Sequence, residues 1–329
     1  MIVVTGATGF VGATLVRQLI EGDEPVRILR RASSSLDLLG DAAHHVEHVL
    51  GDVTDPDAVH DAIEGARIVY HAAAVVAFGR QAWTRQWNTN VVGTANVVNA
   101  ALAAGVDRLV HTSSIAALGR PVRPAGMLDE TARWRGTRVD TGYARSKHEA
   151  EREVHRGVAE GLDAVMVNPA VVFGPGRSGE GSFALAERVA RGRAVAPPGG
   201  TAIVDVADVA AGLRLAAASG ETGERYILAA ENRSWADILG TLAAALGVAR
   251  PRTAPAALVS AGAGVAEAWS RITRTDPLLT RQQALIASTT YRYDGSRATR
   301  DLGLDYRPFE DTASRIAQAI RQRREQTQG

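Results

Sequence analysis

Short β-branched runs alternate with longer helical patterns over the first 170 residues or so, and this alternation restricts the fold more than any other feature. In α/β proteins such runs form the strands of a buried parallel sheet, and the helices between them cover both of its faces. The predicted strands are Ile2–Thr5, Val26–Leu29, Val46–Leu50, Ile68–His71, Arg108–Thr112 and Ala164–Asn168. The predicted helices are Phe10–Ile20, Asp57–Ile63, Thr84–Ala104 and Tyr143–Ala159. We therefore predict an α/β fold with a doubly wound parallel sheet.

The alternation loosens after Asn168. Two clusters rich in glycine and proline, Phe173–Gly181 and Pro197–Gly200, are followed by mixed shorter patterns. We predict a dinucleotide-binding Rossmann-type domain over residues 1–170 and a smaller, mixed substrate-binding lobe over residues 171–329. We leave open whether segments of this lobe return to the parallel sheet.

Composition excludes several classes of protein. The 37 basic and 36 acidic residues leave a formal net charge of +1, which implies no nucleic-acid partner. Cysteine is absent, so disulfides and thiolate chemistry are excluded, and we predict no metal site. We find no pattern typical of a signal peptide and no apolar stretch of about 20 residues. We expect a cytoplasmic protein with no membrane partner, and leave a homodimer open.

Three glycines separate the first predicted strand from the first predicted helix. Gly6 lets the chain turn sharply, Gly9 lets the backbone approach a pyrophosphate, and Gly12 lets the helix pack closely on the strand. The amides at the start of the helix then face the anion. An ordinary flexible turn is the structural alternative. The turn predicts nucleotide binding, and its expected contacts are Gly6, Thr8, Gly9, Phe10, Val11 and Gly12.

The end of the second predicted strand indicates which nucleotide binds. An NAD enzyme usually has an acidic residue there, whereas this chain has Arg30 and Arg31, with Ser34 three residues further on. Guanidinium groups and hydroxyls suit a 2′-phosphate, which a carboxylate would repel. The segment predicts NADP (NADPH) as the cofactor. Two solvated surface arginines are the alternative interpretation.

Two further segments are assigned to the cofactor. Asp52 and Val53 follow the third predicted strand, where Asp52 is placed to reach the adenine amino group. The alternative for this segment is a helix cap, for which Asp55 is the better placed residue. The fourth strand is followed by small residues, against which a flat cofactor can lie, although ordinary packing explains them equally well. They are Ala72, Ala73 and Ala74.

Tyr143 and Lys147 are four residues apart, on one face of a predicted helix. A neighbouring ammonium favours the phenolate of a tyrosine, and Lys147 is the only lysine in the chain. An exposed lysine beside a buried tyrosine is the alternative. Hydroxyls at the end of the fifth strand can orient a carbonyl group. We prefer Ser114 to Ser113 for this task, although such hydroxyls also bond to local backbone.

Together these features resemble the extended short-chain dehydrogenase/reductase (NAD-dependent epimerase/dehydratase) family, which has a TGxxGFxG turn, a serine and a YxxxK pair. The resemblance covers almost the whole chain, and is greatest to bacterial members similar to dihydroflavonol reductases and hopanoid-associated sugar epimerases. Further matching segments are Asn90-Val91-Val92-Gly93-Thr94, Asn168-Pro169, Gly174-Pro175-Gly176 and Val204 to Val209.

The resemblance implies roles for individual residues. Tyr143 matches the general acid/base, Lys147 its electrostatic helper and ribose ligand, and Ser114 the donor that orients the carbonyl. Asn90 matches an asparagine that supports the lysine through a proton relay. Pro169 and Val172 match positions that line the nicotinamide. With the aromatics near the predicted site added, the expected substrate contacts are Phe78, Ser113, Ser114, Trp134 and Tyr143.

Departures from the family pattern narrow the expected reaction. Ile115 and Ala116 stand where dehydratases have an acidic pair, and the segment from Thr201 to Val204 lacks the arginine that commonly holds a sugar nucleotide's diphosphate. We expect an NADP-dependent oxidoreductase that reduces a small-molecule ketone or aldehyde, or oxidises the alcohol. The alternatives are an NAD(P)-dependent nucleotide-sugar epimerase and a non-catalytic dinucleotide sensor.

Overall fold

The computed structural model of the protein describes residues 1–77, 82–122, 124, 126–273 and 280–328. Its strands are β1 (Ile2–Thr5), β2 (Val26–Arg30), β3 (Glu47–Leu50), β4 (Ile68–His71), β5 (Arg108–Thr112), β6 (Met127–Leu128), β7 (Ala164–Pro169), β8 (Val171–Phe173), β9 (Gly200–Asp205), β10 (Arg225–Leu228), β11 (Glu231–Ser234) and β12 (Arg292–Tyr293). Its helices are α1 (Phe10–Leu19), α2 (Pro56–Ile63), α3 (Ala82–Gln86), α4 (Gly93–Ala104), α5 (Gly142–Ala159), α6 (Gly181–Ala190), α7 (Val206–Ser219), α8 (Trp235–Leu246), α9 (Ala256–Thr273), α10 (Arg281–Ala287), α11 (Ser296–Leu302) and α12 (Phe309–Gln328).

The central sheet has seven strands in the order β10-β7-β5-β4-β1-β2-β3, and every neighbouring pair is parallel. The order reverses between β1 and β4, which is the switch point where doubly wound sheets bind ligands beyond the carboxyl ends of their strands. The predicted fold class is therefore confirmed. The six strands predicted from the sequence are all in this sheet, with ends that differ by at most one residue.

Helices cover both faces of the sheet. Leu15 of α1 and Leu213 of α7 belong to the apolar core on one face, and Val59 of α2, Val97 of α4 and Val154 of α5 belong to the core on the other. All five side chains are buried. This two-sided burial explains why the strands read as nearly continuous apolar runs rather than alternating ones.

The third predicted helix is interrupted. Residues Trp87–Val92 form a π-helical segment between α3 and α4. The buried Asn90 lies in this segment, and its side-chain amide bonds to both the N–H and the carbonyl of Val75. A π-helical turn has i→i+5 hydrogen bonds and is therefore wider than an α-helical turn. Hydrophobic periodicity in the sequence does not reveal it. The same helix ends, as its glycine predicts, at Gly105, whose φ is 62°.

A second, three-stranded sheet, in the order β11-β9-β8, belongs to the region after residue 170. Phe173, Phe183, Leu239 and Ile316 form its separate apolar core, with α6, α8 and α12 packed around it. This smaller mixed sheet agrees with the predicted character of the region. The boundary at residue 170 remains a prediction, and β10 is an excursion of the later chain back into the central sheet.

Asp205 ties the last helix to this region. Its carboxylate accepts a hydrogen bond from the N–H of Ala207, which caps α7, and another from the Thr312 hydroxyl of α12 at 2.6 Å. It also pairs with Arg315 of α12. Asp205 is therefore a buried anion that holds two helices, α7 and α12, together. In the described part of the chain, no helix is long and apolar enough to cross a bilayer.

Candidate active site

The glycine turn between β1 and α1 brings the backbone close to the end of β4. A Cβ atom added to Gly6, whose φ is +70°, would lie 2.4 Å from the Ala73 nitrogen, and one added to Gly12 would lie 2.2 Å from the Gly6 carbonyl oxygen. Only glycine fits at either position. No side chain caps the start of α1, so its first amides are available to an anion. These features fit the pyrophosphate of a dinucleotide.

A cleft of about 330 Å³ runs from this turn along the ends of β1, β2, β3 and β4. It brings together many of the predicted cofactor residues, namely Gly6, Thr8, Gly9, Arg30, Arg31, Ser34, Asp52, Val53, Ala72, Ala73 and Ala74. Phe10, Val11 and Gly12 continue from it into α1. The Phe10 ring instead packs against the loop at Gly174 and Gly176. A Cβ atom added to Gly174 would lie 3.3 Å from this ring, and one added to Gly176 would lie 3.4 Å from it.

The two arginines at the end of β2 differ in their surroundings. The Nε of Arg30 donates to Nδ1 of His48 at 2.7 Å, which turns part of this guanidinium toward the protein. The Arg31 side chain is 65% exposed, and its nearest carboxylate, that of Asp52, lies 4.0 Å away. Arg31 is therefore the guanidinium with more freedom to bind a phosphate.

Asp52 is held in the turn after β3. One carboxylate oxygen accepts hydrogen bonds from the N–H and the hydroxyl of Thr54 at 3.0 Å and 2.9 Å. The cap of α2 is Asp55, as predicted, because its carboxylate accepts from the amides of Asp57 and Ala58. The other carboxylate oxygen of Asp52 faces Arg31 on the side of the cleft.

Sequence reasoning missed six residues that line the same cleft, and the two charged ones among them are Arg177 and Glu180. These two belong to the glycine-rich loop before α6. Arg177 lies 3.3 Å from a carboxylate oxygen of Asp37, in the segment after β2, and its guanidinium approaches the Thr8 carbonyl at 3.5 Å. No local pattern distinguishes this arginine from the others in an arginine-rich chain.

At the ends of β5 and α5, the structure brings together the predicted hydroxyl and phenol. The Ser114 hydroxyl and the Tyr143 phenol are hydrogen-bonded. Burial raises the pKa of Tyr143, whereas the Ser114 bond and the charge of Arg120 both act to lower this pKa. Arg120, which the sequence analysis did not select, is therefore a cation that acts on the phenol, and the role expected for Lys147 stays a prediction.

Lys147 lies one turn further along α5 and is buried, with 1% of its surface exposed. Its ammonium donates to the carbonyl oxygen of Thr112 at 2.7 Å. Burial lowers the pKa of Lys147 to about 8, and the nearby carboxylate of Glu151 opposes this shift. The neighbouring imidazole of His71 is buried between the hydroxyls of Thr5 and Thr94, and burial lowers its pKa to about 3.

Glu151, one turn beyond Lys147, organises the polar groups beneath the site. One of its oxygens accepts from the Ser113 hydroxyl and from the Asn168 amide, both at 2.6 Å. Ser113 is buried, so the structure directs its hydroxyl to this carboxylate. We therefore no longer assign Ser113 to substrate contact. Sequence reasoning missed Glu151, although its i+4 spacing from Lys147 is visible on the helix.

The remaining predicted site residues are placed as follows. The Asn90 amide donates to the Ser146 hydroxyl at 2.9 Å, next to Lys147 in the chain. Pro169 is the last residue of β7 in the central sheet, and Val172 lies in β8 of the three-stranded sheet. The Trp134 ring stacks on His148 with centroids 4.5 Å apart and packs against Gly119. Phe78 lies outside the described residues.

Comparison with known proteins places this geometry in context. A model of the NAD dependent epimerase/dehydratase family matches residues 2–229. The putative dihydroflavonol 4-reductase of Synechocystis sp. is 35% identical over 327 residues, covering 96% of this chain and 92% of that protein. Sterol demethylase protein B of Methylococcus capsulatus is 36% identical over 307 residues, covering 92% of each. The crystal structure of gox2253 superimposes with a TM-score of 0.84 at 31% identity, covering 98% of both chains.

Proposed function

Because the chain belongs to the NAD dependent epimerase/dehydratase family, we propose that it is an NADP-dependent oxidoreductase that reduces a ketone or aldehyde. The observation that supports this most is the hydrogen bond between Ser114 and Tyr143, one helical turn from the buried Lys147. A hydroxyl and a phenol held together in this way can share the oxygen of one carbonyl group. The similarity to a protein named as a putative reductase supports the same reaction class.

Each residue of the site has a separate role in the proposed reduction. The residues that line the cleft would hold NADPH, whose chemistry there would be the supply of a hydride for the new C–H bond at the carbonyl carbon. Tyr143 gives its phenolic proton to the carbonyl oxygen, while the Ser114 hydroxyl bonds that oxygen and orients it. The Lys147 ammonium has donors left besides its bond to Thr112, and these suit a ribose hydroxyl of the cofactor. A solvent proton then restores the phenol, and the alcohol leaves.

The choice of NADP rests on the cleft next to β2. Arg30, Arg31 and Ser34 line it, and Arg31 is largely exposed. A charge-assisted bond from Arg31 suits the 2′-phosphate that distinguishes NADP from NAD. Asp52, the acidic group nearest to Arg31, is already engaged by Thr54 and by the arginine itself. We therefore assign the 2′-phosphate to the Arg31 side of the cleft.

The test measures the transfer of deuterium from the cofactor to the alcohol product. The protein is incubated with NADPH deuterated at C4 and a panel of ketones and aldehydes, and the alcohols are analysed by mass spectrometry. We expect one deuterium in the alcohol. The Tyr143→Phe variant should still bind NADPH but turn over about 10² to 10⁴ times more slowly, which is the usual effect of a positioned acid.

Tyr226→Phe is the matched control for this variant. Its phenol lies on the edge strand β10 and accepts from the Glu221 amide, so the rate should stay that of the wild type. If Tyr143→Phe turns over at the wild-type rate while folded, Tyr143 is not the proton donor. If no carbonyl compound accepts the label, the protein is not a reductase of this kind.

One observation favours nucleotide-sugar epimerisation as a second candidate. A cavity of about 750 Å³ in the later region of the chain is lined by Thr201 together with Arg233, Arg250 and Arg292. These arginines come from positions other than the one where the family pattern has its diphosphate-binding arginine. However, Arg233 and Arg250 are already paired with carboxylates. Incubation with UDP- and dTDP-sugars should yield no C4 epimer, and rapid formation of one would promote this candidate over the reductase.

A further inference from the structure

Arg120 is a cation beside the proposed site whose partners do not include an anion. It directly follows Gly119 at the end of the turn that begins with Ser114, and its side chain is half-buried. Within the described residues, no carboxylate pairs with the Arg120 guanidinium. Removing a charge from water costs free energy that a paired anion offsets, so a partly buried guanidinium with no paired carboxylate is suited to receive an anion from a ligand.

Aromatic rings surround the Arg120 guanidinium. Its central carbon lies 5.9 Å from the centroid of the Tyr291 ring. Burial raises the pKa of Tyr143, Tyr291 and Tyr293, and the charge of Arg120 opposes this rise at all three phenols, which therefore lie within reach of its field. Tyr291 is itself fixed by a bond from its hydroxyl to the Pro121 carbonyl at 3.1 Å. The guanidinium is thus held at the Tyr291 ring, and the backbone amide of Arg120 bonds Asp140, three residues before the proton donor of the proposed reaction.

The backbone around Arg120 is also fixed, and this explains why the nearest acid does not neutralise it. The Arg120 amide donates to one oxygen of Asp140 at 2.9 Å, and the Thr137 amide donates to the other at 2.7 Å. The Thr137 hydroxyl bonds the Arg120 carbonyl at 2.7 Å. Asp140 therefore closes the loop through backbone and hydroxyl groups, and among the described residues the guanidinium has the neutral Tyr293 phenol, and no carboxylate, as a hydrogen-bond partner.

We infer that Arg120 binds a carboxylate carried by the substrate, so that the compound reduced is an oxo acid rather than a neutral ketone. The inference rests on the proposed reductase function. A guanidinium matches the geometry of a carboxylate, because its planar group presents paired N–H donors. Among the described residues that act on Tyr143, Arg120 is the sole cation, which suits one negative charge better than the two or more of a diphosphate.

The experiment compares oxo acids with their uncharged amides. Ketones of one carbon skeleton are prepared with a carboxylate or a methylamide at a series of distances from the carbonyl, and kcat/KM is measured with NADPH. For the best-placed member, the wild type should prefer the acid by about 10- to 100-fold, the range typical of one hydrogen bond to a charged group. In Arg120→Gln the acid should lose that advantage, so that kcat/KM for the acid falls by about 10- to 100-fold relative to kcat/KM for the amide.

Two further variants control this comparison. Arg138→Gln removes an exposed arginine from the same loop and should leave the preference for the acid intact. Arg120→Lys keeps the positive charge but lacks the planar guanidinium with its paired N–H donors. This variant should retain part of the preference for the acid over the amide. If Arg120→Gln slows acid and amide equally, Arg120 acts on Tyr143 and not on the substrate, and the inference is wrong. A wild type that does not prefer any acid also overturns it, while reduction of the amides leaves the reductase function standing.

A binding measurement decides the inference if no ketone turns over. The carboxylic acids and amides that lack the ketone are titrated into the protein with NADP⁺ present, by calorimetry. Tighter binding of the acid, lost in Arg120→Gln but kept in Arg138→Gln, supports a carboxylate site. Equal binding of acid and amide overturns it. A phosphonate of the same skeleton that binds tighter than the acid would reassign the site to phosphate-bearing substrates.

Discussion

The Lys147 ammonium donates a hydrogen bond to the Thr112 carbonyl oxygen at 2.7 Å, which joins the first half of α5 to the end of strand β5 in the central sheet. The carbonyl is one that strand pairing leaves available at the sheet's carboxyl edge. A compact ammonium on a flexible stem can reach it inside the core, where the wider guanidinium of arginine has no matching set of acceptors. This gives a physical reason for one lysine in a chain that otherwise uses arginine.

The protonation of Lys147 should appear in the pH dependence of stability. Burial lowers the pKa of Lys147 in the folded protein to about 8, from 10.5 for an unshifted lysine. Between these values the unfolded chain binds more protons, so raising the pH favours the folded state. Relative to Lys147→Met, which does not titrate, the wild type should gain on the order of 3 kcal/mol of unfolding free energy from pH 8 to pH 10.5. Denaturant titrations at several pH values measure this difference, and a constant difference would contradict the prediction.

Cofactor preference should depend on Arg31. Because its guanidinium is exposed at the cleft and only distantly paired with Asp52, Arg31→Ala should weaken NADPH binding about tenfold or more and leave NADH binding nearly unchanged. Fluorescence titration with each cofactor measures both constants. Arg152→Ala removes an equally exposed arginine from α5 and should change neither. Equal losses for NADPH and NADH would place Arg31 away from the 2′-phosphate.

Glu151 should set the alkaline limit of activity. Its carboxylate opposes the effect of burial on the pKa of Lys147, so Glu151→Gln should lower that pKa below about 8. If the charged lysine is needed, reduction should then fail at lower pH than in the wild type. Ser113→Ala removes a hydrogen bond to Glu151 but keeps the charge, and should shift the profile less. The measurement is kcat against pH, and identical alkaline limbs in wild type and Glu151→Gln would show that Glu151 does not act on Lys147.

The attachment of α12 should depend on Asp205. Replacing a buried, paired carboxylate leaves Arg315 and Thr312 without their acceptor, so Asp205→Asn should cost about 3 kcal/mol of unfolding free energy. Asp237→Asn provides the contrast, because Asp237 and its partner Arg250 are both about 60% exposed. That exposed pair should contribute less than about 1 kcal/mol. Similar losses for both variants, measured by denaturant unfolding, would mean that Asp205 does not anchor the helix.

The strands of the central sheet were predictable where burial on both faces requires continuous apolar runs. Val3, Val69 and Val110, for example, are fully buried in three neighbouring strands. The strand β10 was not predicted, because four residues from Arg225 to Leu228 carry little periodic signal and their pairing partner lies in β7, far earlier in the chain. The π-helical segment was missed because hydrophobic periodicity does not report the contacts that accompany it, such as the one between Asn90 and Val75.

The site was predictable only where its chemistry has a local spacing. The turn of Gly6 to Gly12 and the pair Tyr143 and Lys147 both follow such spacings. Arg120, Glu151 and Arg177 were not selected, because an arginine or glutamate acquires its significance from what faces it after folding. Ser113 shows the reverse case. Its position beside Ser114 suggests a second hydroxyl for substrate, yet strand alternation sends the two side chains to opposite sides.

The pairing of β10 with β7 has a consequence for how such chains are made and how they diversify. The first 170 residues emerge from the ribosome with β7 as an exposed edge, and that edge is covered only after residues 225–228 have been synthesised. The two halves of the protein are therefore interwoven rather than modular. A new substrate lobe cannot be grafted as a cassette at residue 170 without also supplying a strand that fits this edge, so changes of specificity should arise through loop and side-chain substitution within one continuous chain.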